Sequence, residues 1–257
     1  MSHDNEYHDA MIAVLELIWG EGFMAPGGKG NVDRMVAGLD LQGKRVLDIG
    51  CGIGGPAIVL ARDHDAHVTG TDLEAPLVAK AVAYGKAAGV ADRLDFQTVE
   101  AGPLPFDDAS FDVVFSSGAF TQIEDKEGMF AECLRVLKPG GWVTVYDWLK
   151  APGDYSEAMR YWFKMEGLTY AMRTLEEYKA VLRAAGLVDV MVEDASPWYR
   201  REVREEYERL KGPFYGRMVE LIGKDDADYF VENWRAMMVV CESGEMLQGY
   251  SRGRAPA

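Results

Sequence analysis

Met11, Leu15 and Ile18, with Ile12 and Trp19 beside them, recur at helical spacing, so residues 5 to 19 are expected to form an amphipathic helix. It runs into a glycine-rich stretch, GEGFMAPGGKGN, that reads as a loop. From Lys44 the pattern changes. Short apolar runs, RVLDI, HVTGTD and RLDFQTV, alternate with the helical patterns PAIVLARDH and EAPLVAKAVAYGKAAG. That alternation predicts a βαβαβ unit whose parallel sheet is covered on both faces. FDVVFSS and WVTVYDW continue it as fourth and fifth strands, flanking a helix over residues 126 to 137 and a KPGG turn. TLEEYKAVLRAAG predicts a helix with Thr174 as N-cap and Gly186 as stop, followed by a strand in LVDVMVED. A charged helical insertion is expected around residues 200 to 240. EMLQGYSRG is expected to return as a last, antiparallel edge strand.

A chain of 257 residues with 48% apolar side chains predicts one large α/β domain rather than two independent ones. It divides into an N-terminal helix and loop (1–43), an alternating core (44–150) and an aromatic-rich part with the last strands (151–257). The acidic excess, 42 against 27 basic side chains and a formal charge of −15, repels phosphate backbones and anionic lipid headgroups. Nucleic acid and membrane surfaces are therefore not expected partners. Cys51, Cys133 and Cys241 are odd in number and far apart, which predicts neither disulfides nor a zinc site, and a reducing cytoplasm. HDAH is the one close histidine pair and lacks a supporting pattern, so no metal is expected. His64 and His67 fall away from the strand ends, and His3 and His8 fall in the N-terminal tail.

The densest signal is VLDIGCGIGGP. Gly50, Gly52 and Gly54 allow a tight turn after the first strand and a close approach to a ligand. Pro56 suits the first turn of the next helix. Asp72 closes the second strand, placed to accept hydrogen bonds from ribose hydroxyls. Gly50, Gly52 and Gly55 also satisfy the dinucleotide pattern GxGxxG. Asp48 argues against that reading, because a carboxylate two residues before Gly50 suits a cationic amino acid moiety and not a pyrophosphate.

VEAGPLPFDDASFDVVFSS and CLRVLKPGGWV, in this order after the glycine loop, resemble class I S-adenosylmethionine (SAM) methyltransferases over residues 44 to 150. The resemblance implies a Rossmann-like α/β fold with a seven-stranded, mostly parallel sheet, helices on both faces and a helical lid. It implies SAM as cofactor, with S-adenosylhomocysteine as product. Gly50, Gly52 and Gly54 would line its methionine part with Asp48 in support, and Asp72 would hold the ribose. Leu73, Glu100 and Ala101 would surround the adenine, and Ser116 and Ser117, at the fourth strand's end, would also contact the cofactor. The terminal stretches LELIWGEGFMAPGG and WRAMMVVCESGEMLQGYSRG resemble the phosphoethanolamine and sarcosine/dimethylglycine N-methyltransferases. That likeness places Trp19, Phe23, Gly27 and Gly28 in a lid that closes over SAM and the substrate, with Trp19 and Phe23 contacting the cofactor. The acceptor would be a small metabolite, most simply an amine, and the enzyme a monomer or homodimer.

FSSGAFTQIE departs from those relatives: Gly118 stands where they carry an aspartate and Gln122 where they carry a histidine. Leu15 and Phe23 occupy lid tyrosine positions, and Leu168 and Met237 lie near the positions of cationic phosphate ligands. A sulfonium methyl needs chiefly an aligned nucleophile in a dry pocket, and a base only if a proton must leave. Gln122 and Asp147 are the candidate catalytic groups; Glu124, Asp125 and Tyr146 are further polar candidates. Gly118, Gln122, Trp148 and Tyr170 are the candidate acceptor contacts. Trp148, Tyr155, Tyr161, Trp162, Phe163, Tyr170, Trp198 and Tyr199 form an aromatic group suited to a methylated cation or to a larger apolar acceptor. Three readings follow: N-methylation of a small amine, O- or S-methylation of a more apolar molecule, and SAM binding without catalysis.

Overall fold

The computed structural model describes residues 9–168 and 170–257. The chain forms α1 (Asp9–Trp19), α2 (Gly28–Met35), β1 (Arg45–Ile49), α3 (Gly55–Asp63), β2 (His67–Asp72), α4 (Ala75–Ala87) and β3 (Leu94–Thr98). It continues through β4 (Phe111–Ser117), α5 (Lys126–Val136), β5 (Leu137–Lys150), α6 (Glu157–Glu166), α7 (Leu175–Ala184) and β6 (Val188–Asp194). It ends with α8 (Ser196–Lys211), α9 (Tyr215–Ile222), α10 (Lys224–Glu242) and β7 (Met246–Arg254). The sheet order is β3-β2-β1-β4-β5-β7-β6, with β1 to β5 parallel and β7 antiparallel to both its neighbours. The strand order reverses between β1 and β4, so a crevice opens at the carboxyl ends of these two strands.

Each face of the sheet buries its own core. Leu47, Val114, Phe120, Phe130 and Val143 pack with Tyr178 and Leu182 under α5 and α7. Val46, Val59, Val113, Phe115 and Tyr146 pack with Val32 and Met35 under α2 and α3. A third apolar cluster sits above the strand ends: Leu15 and Ile18 of α1 meet Trp162, Tyr199, Trp234 and Met237 from the later helices. That cluster makes α1 and the helices after β5 one roof over the crevice.

The sequence expectations hold for the alternating core and for α7, whose Thr174 and Glu177 form a reciprocal capping box. Four elements differ. The expected edge strand is internal: β7 pairs with β5 and with β6, leaving β6 at the edge. KPGG does not precede the fifth strand but is absorbed into it as a bulge, because Leu137 already pairs with Phe111 before Trp142 meets Val113. The glycine-rich loop ends at Gly27, since Gly28 opens α2. The charged insertion is three helices, the first beginning at Ser196 with Pro197 in its opening turn. Residues 5 to 8 of the expected first helix, with His3 and His8, lie outside the described residues. Among the described residues no helix is long and apolar enough to cross a membrane.

Candidate functional site

The loop after β1 turns sharply at Gly50, whose φ of +71° is left-handed. A Cβ there would lie 2.2 Å from the Cβ of Ala119, so the glycine loop touches the loop that follows β4. Gly50 and Cys51 donate their amides to the Thr71 carbonyl at 2.8 and 2.9 Å. Asp72 steadies the same turn: its carboxylate accepts from the Gly52 amide at 2.8 Å and from the Glu74 amide at 3.1 Å. Both oxygens keep a lone pair for another donor. Beneath the loop, Asp48 is 1% exposed and its Oδ2 has no hydrogen-bond partner. Burial, with the charge of Asp72 added, pushes its pKa up to about 8.

The loop after β4 is held from below. Gly118, also left-handed at φ +84°, donates to the Tyr146 carbonyl at 2.8 Å. A short 3₁₀ turn over Phe120–Gln122 follows. Asp147 accepts from the Thr121 amide at 2.9 Å and from the Tyr178 hydroxyl. Lys126 donates to the carbonyls of Phe120, Ile123 and Ala171 at 2.8, 2.8 and 2.7 Å. Burial lifts the Asp147 pKa to about 7, opposed by the Tyr178 bond and the Lys126 charge. Burial correspondingly lowers that of Lys126.

The cover comes from both ends of the chain. The Trp19 indole donates to Glu206 at 2.7 Å and the Trp234 indole to its other oxygen at 3.0 Å. Glu16 of α1 accepts from the Gly22 amide at 2.8 Å and shapes the loop beyond it. In the roof, Trp162 stacks between Trp148 and Tyr170, with ring centroids 6.2 and 5.2 Å away. Glu166, half-buried at the end of α6, accepts from Asn233 at 2.7 Å and Tyr170 at 3.1 Å. Burial raises its pKa against those two bonds.

These parts enclose one cavity of about 890 Å³, within the range of small-molecule sites. Its strand-end half is lined by Gly50, Gly52, Asp72, Leu73, Glu100, Ala101 and Ser117, whereas Asp48, also expected at the cofactor, lies buried beneath the glycine loop and does not line it. Leu73 is 58% exposed, an apolar side chain left open toward this space. Trp19, Phe23, Gly118, Gln122, Trp148 and Tyr170 line it as well. Among the described lining residues are the carboxylates Asp72, Glu74, Glu100, Glu124, Asp125, Glu132 and Glu166, and no lysine, arginine or histidine.

Other expected contacts fall elsewhere. Asp147 does not line the cavity; it is 1% exposed and spends its carboxylate on the loop above it. Ser116 turns its hydroxyl inward to the Ile49 carbonyl at 2.8 Å, since alternate residues of a strand face opposite ways. Gly54 packs against Ala81 and Phe96, and Gly27 against Trp198, each away from the cavity; Gly28 opens α2 beside the Trp19 carbonyl. Tyr146 is buried with its hydroxyl unpartnered, and Asp125 caps α5 through the Gly128 amide while also reaching the cavity mouth. Of the aromatic group, Trp148, Trp162 and Tyr170 reach the cavity, whereas Tyr199 is core and Tyr161 is 43% exposed. His64 pairs with Asp33 at 2.9 Å and does not line the cavity. The residues missed in the sequence are Glu166, Asn233, Trp234 and the latch Glu206. Glu166 carried one legible signal, an acid in the last turn of an aromatic-rich helix, where the helix dipole disfavours negative charge.

Residues 47–145 match the family model described as a methyltransferase domain. The chain is 32% identical over 248 residues to a phosphoethanolamine N-methyltransferase of Triticum aestivum, covering 95% of this chain and 48% of that protein. It thus spans about half the length of the first curated relatives it matches. It is 34% identical over 220 residues, 80% of both chains, to 27-O-demethylrifamycin SV methyltransferase of Amycolatopsis mediterranei. Among solved structures, Haemonchus contortus phosphoethanolamine N-methyltransferase 2 was determined with phosphomonomethylethanolamine and S-adenosylhomocysteine. It superposes with a TM-score of 0.91 at 26% identity, over 99% of this chain and 59% of that one.

Proposed function

The chain belongs to the class I SAM-dependent methyltransferases, and on that premise we propose that it methylates the nitrogen of a small amine that carries no phosphate. The observation that carries this reading is the cavity lining: strand-end loops on one side, an aromatic roof with a carboxylate on the other, and no cation among the described lining residues. A phosphate dianion brought into that space would face uncompensated carboxylates, at a cost that a low-dielectric pocket magnifies. An ammonium meets the opposite field, in a space lined by the aromatic side chains of Trp148, Trp162 and Tyr170.

The residues present fit SAM. The buried, unpartnered Asp48 Oδ2 suits a group that carries an ammonium, whereas a pyrophosphate would place a second negative charge beside it. In this reading Asp72 receives the ribose hydroxyls with its free lone pairs, and Leu73 and Ala101 flank the adenine with Glu100 at its amine. When bound, SAM supplies an electrophilic methyl group on sulfur. The chain's own work is then to align an amine lone pair, exclude water and disperse the charge that the product nitrogen retains. The Gly118–Gln122 loop, fixed by Asp147 and Lys126, forms the floor on which the acceptor is aligned. The nitrogen attacks only as the free base, so an amine drawn in as its ammonium first gives one proton to a lining carboxylate or to water, a task that Gln122 cannot perform.

The test is S-adenosylhomocysteine formation with ethanolamine, its N-methylated forms, phosphoethanolamine, glycine, sarcosine, and sets of thiols and phenols. Turnover of phosphate-free amines ahead of phosphoethanolamine is expected. A preference for phosphoethanolamine overturns the charge argument, and turnover confined to thiols or phenols overturns the amine. A second reading, O-methylation of a larger apolar acceptor, is supported by the apolar share of the lining, Met11, Leu15, Met165, Leu168, Phe230 and Met237, and by the likeness to the rifamycin enzyme. Absence of turnover with every acceptor, while SAM still stabilises the fold, leaves the silent SAM-binding reading.

A further inference from the structure

We propose that Glu166, braced by Asn233 and Tyr170, is a cation-selecting subsite that takes the ammonium group of the acceptor and rejects anionic head groups. The inference rests on the amine reading above and names the residue that enforces it.

The position is an expensive place for an acid. Glu166 closes α6, where the unpaired carbonyls of the last turn present negative charge, and Gly167 ends the helix directly after it. Its neighbours do not neutralise it: Asn233 gives one neutral hydrogen bond to Oε2 and Tyr170 one to Oε1. Each carboxylate oxygen therefore keeps a lone pair. Asn233 Oδ1 lies on the same side chain, buried and without a hydrogen-bond partner, and adds further negative potential. Tyr170, which reaches Glu166 through its hydroxyl, and Trp162, stacked on Tyr170, line the same cavity. A carboxylate with spare lone pairs and an orphaned carbonyl oxygen on the side chain that braces it form an arrangement that a positive charge completes. Folding does not require the charge, because a glutamine would fill the space and keep one acceptor oxygen for these donors without the cost of burying a carboxylate.

Binding can be measured apart from turnover. The protein is saturated with S-adenosylhomocysteine, and the fluorescence of Trp148, Trp162 and Trp234 is followed during titration with ethanolamine or with propionate. Saturable quenching by ethanolamine and none by propionate is expected. Glu166→Gln should weaken ethanolamine binding at least about tenfold, and Glu166→Asp should recover part of that loss. Retained stabilisation by S-adenosylhomocysteine confirms that each variant is folded. Equal affinities in wild type and Glu166→Gln, binding of propionate as tight as ethanolamine, or no saturable ethanolamine signal would each overturn the subsite. Amine turnover that is indifferent to Glu166→Gln keeps the proposed reaction and removes this inference. Glu166-dependent binding of ethanolamine without methylation of any amine does the reverse.

Discussion

Trp19 and Glu206 stand 187 positions apart in the chain and share a 2.7 Å hydrogen bond, which ties the first helix to the roof. Trp234 bonds the second oxygen of the same carboxylate, so one side chain fastens two indoles that both line the cavity. Replacing Glu206 with leucine strips both N–H groups of their acceptor and should cost roughly 1–3 kcal/mol for each one left buried. Glutamine, which keeps one acceptor oxygen, should cost less. Thermal unfolding with and without SAM checks this, and Glu206→Leu is expected to lose part of the SAM-induced shift as well as intrinsic stability.

The buried Asp48 is expected to make SAM binding depend on pH. Its pKa in the folded protein, about 8, lies above the ordinary 3.8, so the proton is held more tightly in the fold than in the unfolded chain. The stability this gives is complete below the unfolded value and is lost as pH rises through about 8. A cationic ligand beside the carboxylate favours the ionised form and reverses the trend. SAM affinity should therefore rise between pH 6 and 8, by up to about tenfold per unit below the folded pKa. Calorimetric titration of Asp48→Asn should show a flatter dependence and weaker binding throughout.

Gly118→Asp, which restores the residue found in related enzymes, should not restore their substrate preference. The position is left-handed at φ +84°, and a Cβ would sit 3.4 Å from Ala25 in the covering loop. Strain of roughly 1–3 kcal/mol is expected, at the lower end because aspartate tolerates this region better than most residues. Denaturant unfolding gives the cost. Phosphoethanolamine turnover by the variant should stay below that with ethanolamine.

Tyr178→Phe tests whether Asp147 acts by holding the loop. The tyrosine hydroxyl and the Thr121 amide both bond the Asp147 carboxylate, whose pKa is lifted to about 7. Without the hydroxyl the carboxyl loses a donor that favours ionisation, so its pKa should rise further. The loop bearing Gln122 should lose order, with kcat reduced several-fold and SAM affinity close to that of the wild type. Steady-state kinetics alongside SAM titration separate the two effects.

The alternating core was legible because its signals are local. Strands buried on both faces read as continuous apolar runs, and the turn after β1 requires glycines at fixed positions. The acceptor side was less legible because its geometry comes from distant segments. Glu166 meets Asn233 across 67 positions and Glu206 meets Trp19 across 187, and nothing in either local stretch announces the partner. Asp147 misled for a related reason. The end of a central strand is where ligand contacts are expected, yet Thr121 and Tyr178 fold over it and claim its oxygens from the inside. The tail read as an edge strand because periodicity reports exposure of faces, whereas edge or interior is decided by where β6 docks.

The wedging of β7 between β5 and β6 has a consequence for how the molecule is made. Nine consecutive pairs join β7 to β5, from Trp142 with Arg254 to Lys150 with Met246, so β7, synthesised after both its neighbours, closes contacts with a strand finished about a hundred residues earlier. Until it arrives, β5 presents an open hydrogen-bonding edge and β6 has no strand to pair with. Long-range closure of this kind slows folding, because chain entropy is spent before the contacts that repay it exist. On the ribosome, the alternating half should be able to collapse first, with a bare sheet margin waiting for β7 to emerge.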